Sequence, residues 1–187
     1  MLFRSLHDQC DVNGKFAVVV NEFLGAIEGE QPLLGVVYVP VTDTTYLACV
    51  GIGAFKQVAH QRQVIHASRY AGGKATVVAS RSHRGDKLEG FLTQLQAREG
   101  AYETASMGSS LKLCLVAESK ADVYPRLGPT SEWDTAAAQC VVEVAGGHVT
   151  DMRGKPLTYN KPSILNPWFL VSGAGNYDWS SYVEGLG

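Results

Sequence analysis

The sequence predicts an α/β fold: an α+β layered sandwich with antiparallel strands first, then a mixed sheet with helices. Three observations predict it. Residues 16–56 hold apolar runs separated by turns too short for a crossover, the pattern of an antiparallel meander. Residues 75–172 alternate strand-like and helix-like stretches, as in a parallel or mixed sheet covered by helices. Hydrophobic residues make up 45% of the 187 residues and charged residues 18%, so a packed core is expected and disorder is not. The expected division is 1–74 for what is left of an N-terminal antiparallel half, 75–173 for a C-terminal α/β half, and 174–187 for a tail.

Taken in order, residues 1–15 carry little pattern, and 16–20 (FAVVV) is a β-branched run that reads as a buried strand. A second strand is expected over 33–41 (LLGVVYVPV), with Pro40 near its end, and a third over 45–50. Residues 51–56 suggest a further short strand, and the mixed polar stretch 57–74 reads as a surface excursion. Residues 75–80 (ATVVAS) form the next strand. Asp86 and Glu89 then make a D-x-x-E capping pattern, followed by Leu88, Phe91, Leu92 and Leu95 at helical spacing. Residues 102–107 are a short strand, Gly108-Ser109-Ser110 opens a second helix, and 121–124 is another strand. Gly128 and Pro129 bend the chain before Asp134, which stands where a helix N-cap belongs, and Gly146-Gly147 stops that helix. Trp133 reads as a hydrophobic staple. Val149 begins a last hairpin, 151–156 is a turn and 168–172 the final strand. The segment 173–187 reads as loose, with Tyr177, Trp179 and Tyr182 available to dock.

Composition narrows the function classes. A net charge of -2 gives no pull toward nucleic acid or an anionic membrane surface. No run approaches a bilayer span, and the first ten residues lack the apolar stretch of a signal peptide. Cys10, Cys49, Cys114 and Cys140 are scattered, without a C-x-x-C pair, and Cys114 and Cys140 read as buried thiols. A cytoplasmic protein is the expectation. No G-x-S-x-G elbow, G-x-G-x-x-G or P-loop is present.

In a sheet of this kind ligands sit beyond the carboxyl ends of the strands. The loops expected there are 80–86, 106–110 and 124–134, and they carry His83, Ser109, Ser110, Lys112, Arg126 and Asp134. Basic and hydroxyl side chains around a helix N-terminus suit an anion. Each has a plainer reading. His83 would be an exposed histidine, Lys112 and Arg126 solvated charges, Ser109 or Ser110 a cap, and Asp134 a capping carboxylate.

Trp133-Asp134-Thr135-Ala136-Ala137 resembles the W-D-x-A-A motif of the lithium-sensitive, magnesium-dependent phosphomonoesterases of the inositol monophosphatase superfamily. Residues 34–48, 77–83, 106–137 and 154–173 narrow the resemblance to 3'(2'),5'-bisphosphate nucleotidases of the CysQ type. The resemblance spans about 33–173. It implies an inositol-monophosphatase-like fold, and hydrolysis of adenosine 3',5'-bisphosphate to AMP and phosphate with Mg2+ as cofactor. It also implies that Asp134 is a metal ligand lying against the substrate, and that His83, Ser109, Ser110, Lys112 and Arg126 bind the nucleotide. The expected partner is thus a small nucleotide.

The chain departs from the family upstream. Family members carry a Glu-Glu pair and then Asp-Pro-x-Asp-Gly-Thr, which supply most metal ligands and the water-activating threonine. This chain has neither, and Leu6-His7-Asp8-Gln9-Cys10-Asp11 does not match. Asn13-Gly14-Lys15-Phe16 resembles the N-G-E-F that follows in the family, but 17–31 runs several positions longer. The expectation is a family member without its N-terminal portion, with no catalytic water-activating residue. The alternative is a catalytically inactive member that at most binds nucleotide. Strands 16–20 and 34–41 would then leave exposed sheet edges that invite self-association.

Overall fold

The structure is a computed structural model that describes residues 2–7, 21–79, 85–106, 110–183 and 185, with side chains from residue 24 onward. The expected strand at 16–20 lies outside the described residues.

The first sheet is a six-stranded antiparallel meander: β1 (Leu2–His7), β2 (Asn21–Glu28), β3 (Gln31–Val39), β4 (Thr44–Cys49), β5 (Gly53–Val58) and β6 (Gln61–Val64), in that spatial order. Two differences from the sequence reading stand out. Residues 57–74 are not only an excursion, because β6 pairs with β5 in the register Phe55↔Val64 to Val58↔Gln61. All four β6 side chains are exposed, so no alternation of apolar and polar residues announces the strand. The run 34–41 is not at an edge: β3 is paired on both sides, and the edges are β1 and β6.

The second sheet has the order β10-β11-β9-β7-β8, built from β7 (Ala75–Ala79), β8 (Tyr102–Ser106), β9 (Val123–Arg126), β10 (His148–Asp151) and β11 (Phe169–Ser172). β7 runs parallel to β8 and to β9, whereas β11 and β10 are antiparallel additions. The carboxyl ends of β7, β8 and β9 therefore share one rim. The sheet is mixed, as the alternation of elements predicts.

Helices α1 (Asp86–Glu99), α2 (Leu111–Ala117) and α3 (Glu132–Val144) divide between two layers. α2 and α3 lie between the sheets, where Val37, Val39, Tyr46 and Ala48 of the first sheet meet Cys114, Val116, Ala138 and Val141 of the helices and Val78, Phe169 and Val171 of the second. On the far face of the second sheet, α1 packs Leu88, Phe91, Leu92 and Leu95 against Ala75, Val77 and Leu170. The layers run sheet, helices, sheet, helix. α3 seats its backbone directly on β3, because a Cβ on Gly35 would fall 2.1 Å from the Ala137 carbonyl oxygen. The alanines of the W-D-x-A-A motif are thus packing residues.

The helix ends correct three assignments. Asp86 is the first residue of α1, Gly85 occupies the cap position, and no side-chain cap forms. α3 starts at Glu132 with Ser131 as N-cap, so Asp134 is its third residue, not its cap. Trp133 is the second helical residue and 37% exposed, which is not the position of a staple.

The C-terminal segment docks. Tyr177, Tyr182 and Tyr70 each donate a hydroxyl to the Glu99 carboxylate, at 2.5, 2.8 and 3.1 Å, and Trp179 is buried against Tyr70. These hydroxyls hold Glu99 below the usual carboxylate range, with the bond from Tyr177 the largest influence.

A buried polar chain runs along α3. Asn166 Nδ2 donates to Thr135 Oγ1 (3.1 Å), Tyr159 Oη donates to Gln139 Oε1 (2.6 Å) and lies 3.1 Å from Thr135 Oγ1, and Gln139 Nε2 donates to Glu143 Oε1 (2.9 Å). Burial pushes the Glu143 carboxyl up to about 7, and the Gln139 amide only partly offsets it. A raised folded-state value means that Glu143 favours folding while protonated, and that this contribution is lost between pH 4.5 and about 7. Glu143→Gln is therefore expected to stabilise the protein by about 1–2 kcal/mol at pH 8, after solvent screening of a half-buried group, and by almost nothing at pH 4. Thermal melts of both proteins across that range check it; equal gains at the two pH values would contradict it.

Candidate functional site

The shared rim of β7, β8 and β9 faces the start of α3. β9 brings Tyr124 and Arg126 to one face, because strand side chains alternate, and Phe169 is opposite Arg126 in the ladder. α2 supplies Lys112, whose Nζ lies 5.6 Å from the centroid of the Tyr124 ring. Ser110, just before α2, donates Oγ–H to the backbone carbonyl of Asp134 at 3.1 Å. That bond ties the start of α2 to the first turn of α3. Asp134 in turn accepts the Ser131 N–H on Oδ2 at 2.7 Å, the returning half of a capping box.

Of the sequence-predicted site residues, Ser110, Lys112, Arg126 and Asp134 are brought together around Tyr124. His83 and Ser109 lie outside the described residues. Sequence reasoning missed Tyr124, although its place two residues before Arg126 on a strand was a usable signal. It also missed Glu132, Lys161 and Asn166, which hold the first turn of α3 and whose pairing spans about thirty residues of chain without a local pattern.

Lys112 and Arg126 bring two positive charges to this cluster, against the single carboxylate of Asp134. Lys112 is 6% exposed. Burial first, and then the nearby Arg126 charge, lower its ammonium to about 8. Arg126 donates through Nη2 to the Pro129 carbonyl at 3.0 Å, while its Nε is buried without a partner among the described residues. Among the described residues neither cation forms an ion pair. Burial raises the Tyr124 phenol, so it stays a neutral donor, although the Arg126 charge pulls the other way. A buried ammonium beside a half-buried guanidinium whose Nε is buried is a costly arrangement that an anion relieves.

A metal is a separate question. Asp134 offers a carboxylate with one oxygen already engaged by Ser131. Among the described residues no three His, Cys, Asp or Glu side chains converge as a metal site requires. Magnesium takes six oxygens in near-octahedral array, usually with more than one carboxylate or phosphate. The described residues thus supply one candidate ligand and do not by themselves fit magnesium. No helix among them is long and apolar enough to cross a membrane.

Residues 14–170 match the inositol monophosphatase family. A protein of Escherichia coli (strain K12) named 3'(2'),5'-bisphosphate nucleotidase CysQ is 45% identical over 161 residues, covering 86% of this chain and 61% of that protein. The protein of that name from Aggregatibacter actinomycetemcomitans is 36% identical over 176 residues, covering 89% of this chain and 60% of that protein. The chain therefore spans about three-fifths of the length of the curated relatives it matches. Among solved structures, CysQ from Bacteroides thetaiotaomicron superposes with a TM-score of 0.76 at 35% identity, over 84% of this chain and 64% of that one. An inositol monophosphatase from Zymomonas mobilis superposes at 0.71 with 18% identity, over 89% of this chain and 63% of that one, and shares the fold.

Proposed function

This chain belongs to the inositol monophosphatase family, and from that premise we propose that it acts on a phosphomonoester of a nucleotide, as a 3'(2'),5'-bisphosphate nucleotidase does. The observation that carries the reading is the pair Lys112 and Arg126 near Asp134, neither of them in an ion pair among the described residues. A 3',5'-bisphosphate has two phosphates, one to be cleaved and one to be held. Lys112, Arg126 and the Tyr124 hydroxyl form a donor set for the held phosphate. Ser110 keeps the α2 and α3 starts at a fixed separation, so those donors keep their spacing from Asp134. Adenosine 3',5'-bisphosphate, giving AMP and phosphate, is the substrate proposed. Magnesium dependence belongs to the proposal through the family resemblance, with Asp134 as one ligand. A cytoplasmic location also belongs to it, and the free thiols of Cys114 and Cys140 are consistent with a reducing compartment. If copies of the chain associate through sheet edges, they would use β1, β6, β8 or β10, since the other strands are paired on both sides.

The test is phosphate release from adenosine 3',5'-bisphosphate in the presence of magnesium. The native chain is expected to release phosphate, and Asp134→Ala to lower the rate by at least about a hundredfold. Equal rates in the two proteins would overturn the reading.

A further inference from the structure

At the start of α3 stands a buried acid that the phosphate site does not use. Glu132 opens α3 and its side chain is 2% exposed. One segment, 158–166, occupies its carboxylate. Asn160 N–H donates to Oε2 at 3.0 Å, and Lys161 donates to Oε1 from its N–H at 3.1 Å and its Nζ at 2.6 Å. Burial raises the Glu132 carboxyl, but Lys161 and these N–H groups outweigh it and hold the group below its ordinary value.

Asn166 fastens the other end of the same segment. Its N–H donates to the Thr130 carbonyl at 2.9 Å, and its Nδ2 donates to the Ser131 carbonyl at 2.9 Å. Between these ends the Glu132 N–H donates to the Ile164 carbonyl at 2.9 Å. Asn160, in the left-handed region at φ 58°, reaches across with Nδ2 to the Gly29 carbonyl at 2.6 Å and anchors the segment to the turn between β2 and β3.

What this strap grips is the end of the turn before α3, at Thr130 and Ser131, and two charges of the phosphate site, Arg126 and Asp134, depend on that turn. Pro129 supplies the carbonyl that orients the Arg126 guanidinium, and Ser131 supplies the N–H that orients Asp134. A buried carboxylate and its lysine strongly resist separation, because each would be left as an unpaired charge. The strap is therefore held in one register.

We propose that Glu132, with Lys161 and Asn166, is a positioning latch that sets the Arg126 guanidinium and the Asp134 carboxylate for an incoming phosphate. Its consequence for nucleotide binding rests on the function proposed above; the latch itself does not.

Two measurements on the full chain separate them. In Glu132→Gln, hydrogen exchange of the amides of 127–135 is expected to quicken by about tenfold or more while those of β7 keep their native rate. In calorimetry with AMP, and with inorganic phosphate as the simpler probe, the dissociation constant is expected to rise by about tenfold with the number of sites unchanged. Lys161→Arg should preserve both readings. A residue that only supports the fold would lower the number of sites and leave the dissociation constant alone, and that result would overturn the positioning role. Native exchange rates at 127–135 in Glu132→Gln would overturn the latch whatever AMP does. A native chain that binds neither AMP nor phosphate would overturn the function proposed above, and the exchange rates would still decide the latch. If Glu132→Gln does not fold, Asn166→Ala, which strands no charge, carries the same test.

Discussion

Arg126→Ala is expected to weaken AMP binding by about a hundredfold, from roughly 3 kcal/mol lost with a charged, hydrogen-bonding donor. The guanidinium is already oriented by the Pro129 carbonyl, so the native chain spends little ordering it on binding. Its buried Nε has no partner among the described residues, and an anion would satisfy it. The pH dependence sharpens the expectation. Burial, then the Arg126 charge, lowers Lys112 to about 8, so in the free protein its charge is present below that pH and fades above it. AMP affinity of the native chain should therefore fall as pH rises through about 8. Binding restores the ammonium, so calorimetry in buffers of different ionisation enthalpy should show proton uptake on that falling limb. In Arg126→Ala the repulsion is gone but the burial remains, and the limb should move modestly to higher pH. Affinity that is flat from pH 7 to 10 in the native chain would exclude Lys112 from the phosphate contact. The same shift makes a stability statement of opposite slope: the unfolded chain binds the Lys112 proton more tightly, so this group's contribution to stability rises with pH above about 8.

Gly35→Ala is expected to cost more than about 4 kcal/mol, most of the stability of an ordinary domain. The added methyl would stand 2.1 Å from the Ala137 carbonyl oxygen and 2.9 Å from the Cys140 Cβ. Neither obstacle is the free end of a flexible side chain. Relief requires α3 to lift from β3, which opens the interface between the first sheet and the helix layer and displaces the start of α3 from α2. Gly25 provides the graded control. There a methyl meets the Ala137 nitrogen at 3.3 Å, a contact that shifts of a few tenths of an ångström relieve. Gly25→Ala should cost about 1–2 kcal/mol, in the range of modest overpacking. Chemical denaturation of the three proteins checks the order native, Gly25→Ala, Gly35→Ala, and comparable losses for the two variants would contradict it.

The legible parts of the site were those written in short-range chemistry. Lys112, Arg126 and Asp134 stand in loops and first turns that follow strands, so placing the strands also placed these residues near one rim. Alternation along 123–126 put Tyr124 on the same face, although that signal went unused. The capping role of Asp134 was off by three residues, because both Ser131 and Asp134 are good capping residues and propensity cannot rank them. The structure decides by giving Ser131 the extended conformation of an N-cap and Asp134 the returning bond. β6 was illegible because all its side chains are exposed and only backbone pairing makes it a strand. That Tyr177, Trp179 and Tyr182 could dock was legible, but where they dock was not, because the acceptor of both tyrosines, Glu99, lies about eighty residues away.

The sequence by itself determined the order of antiparallel and mixed halves, the apolar face of α1, the helix that follows Trp133-Asp134, and the motifs that tie the chain to its family. These follow from periodicities of two and 3.6 and from residue chemistry, which act over a few positions. Only the tertiary structure decided that the motif's alanines seat α3 on Gly35 and that Lys112 and Arg126 come together with no ion pair among the described residues. It alone decided that a strap some thirty residues downstream of α3's first turn holds the Arg126 and Asp134 charges in place. Those facts depend on which surfaces close against each other, and burial is what turns Lys112 into a costly cation and Glu132 into a carboxylate that needs its lysine.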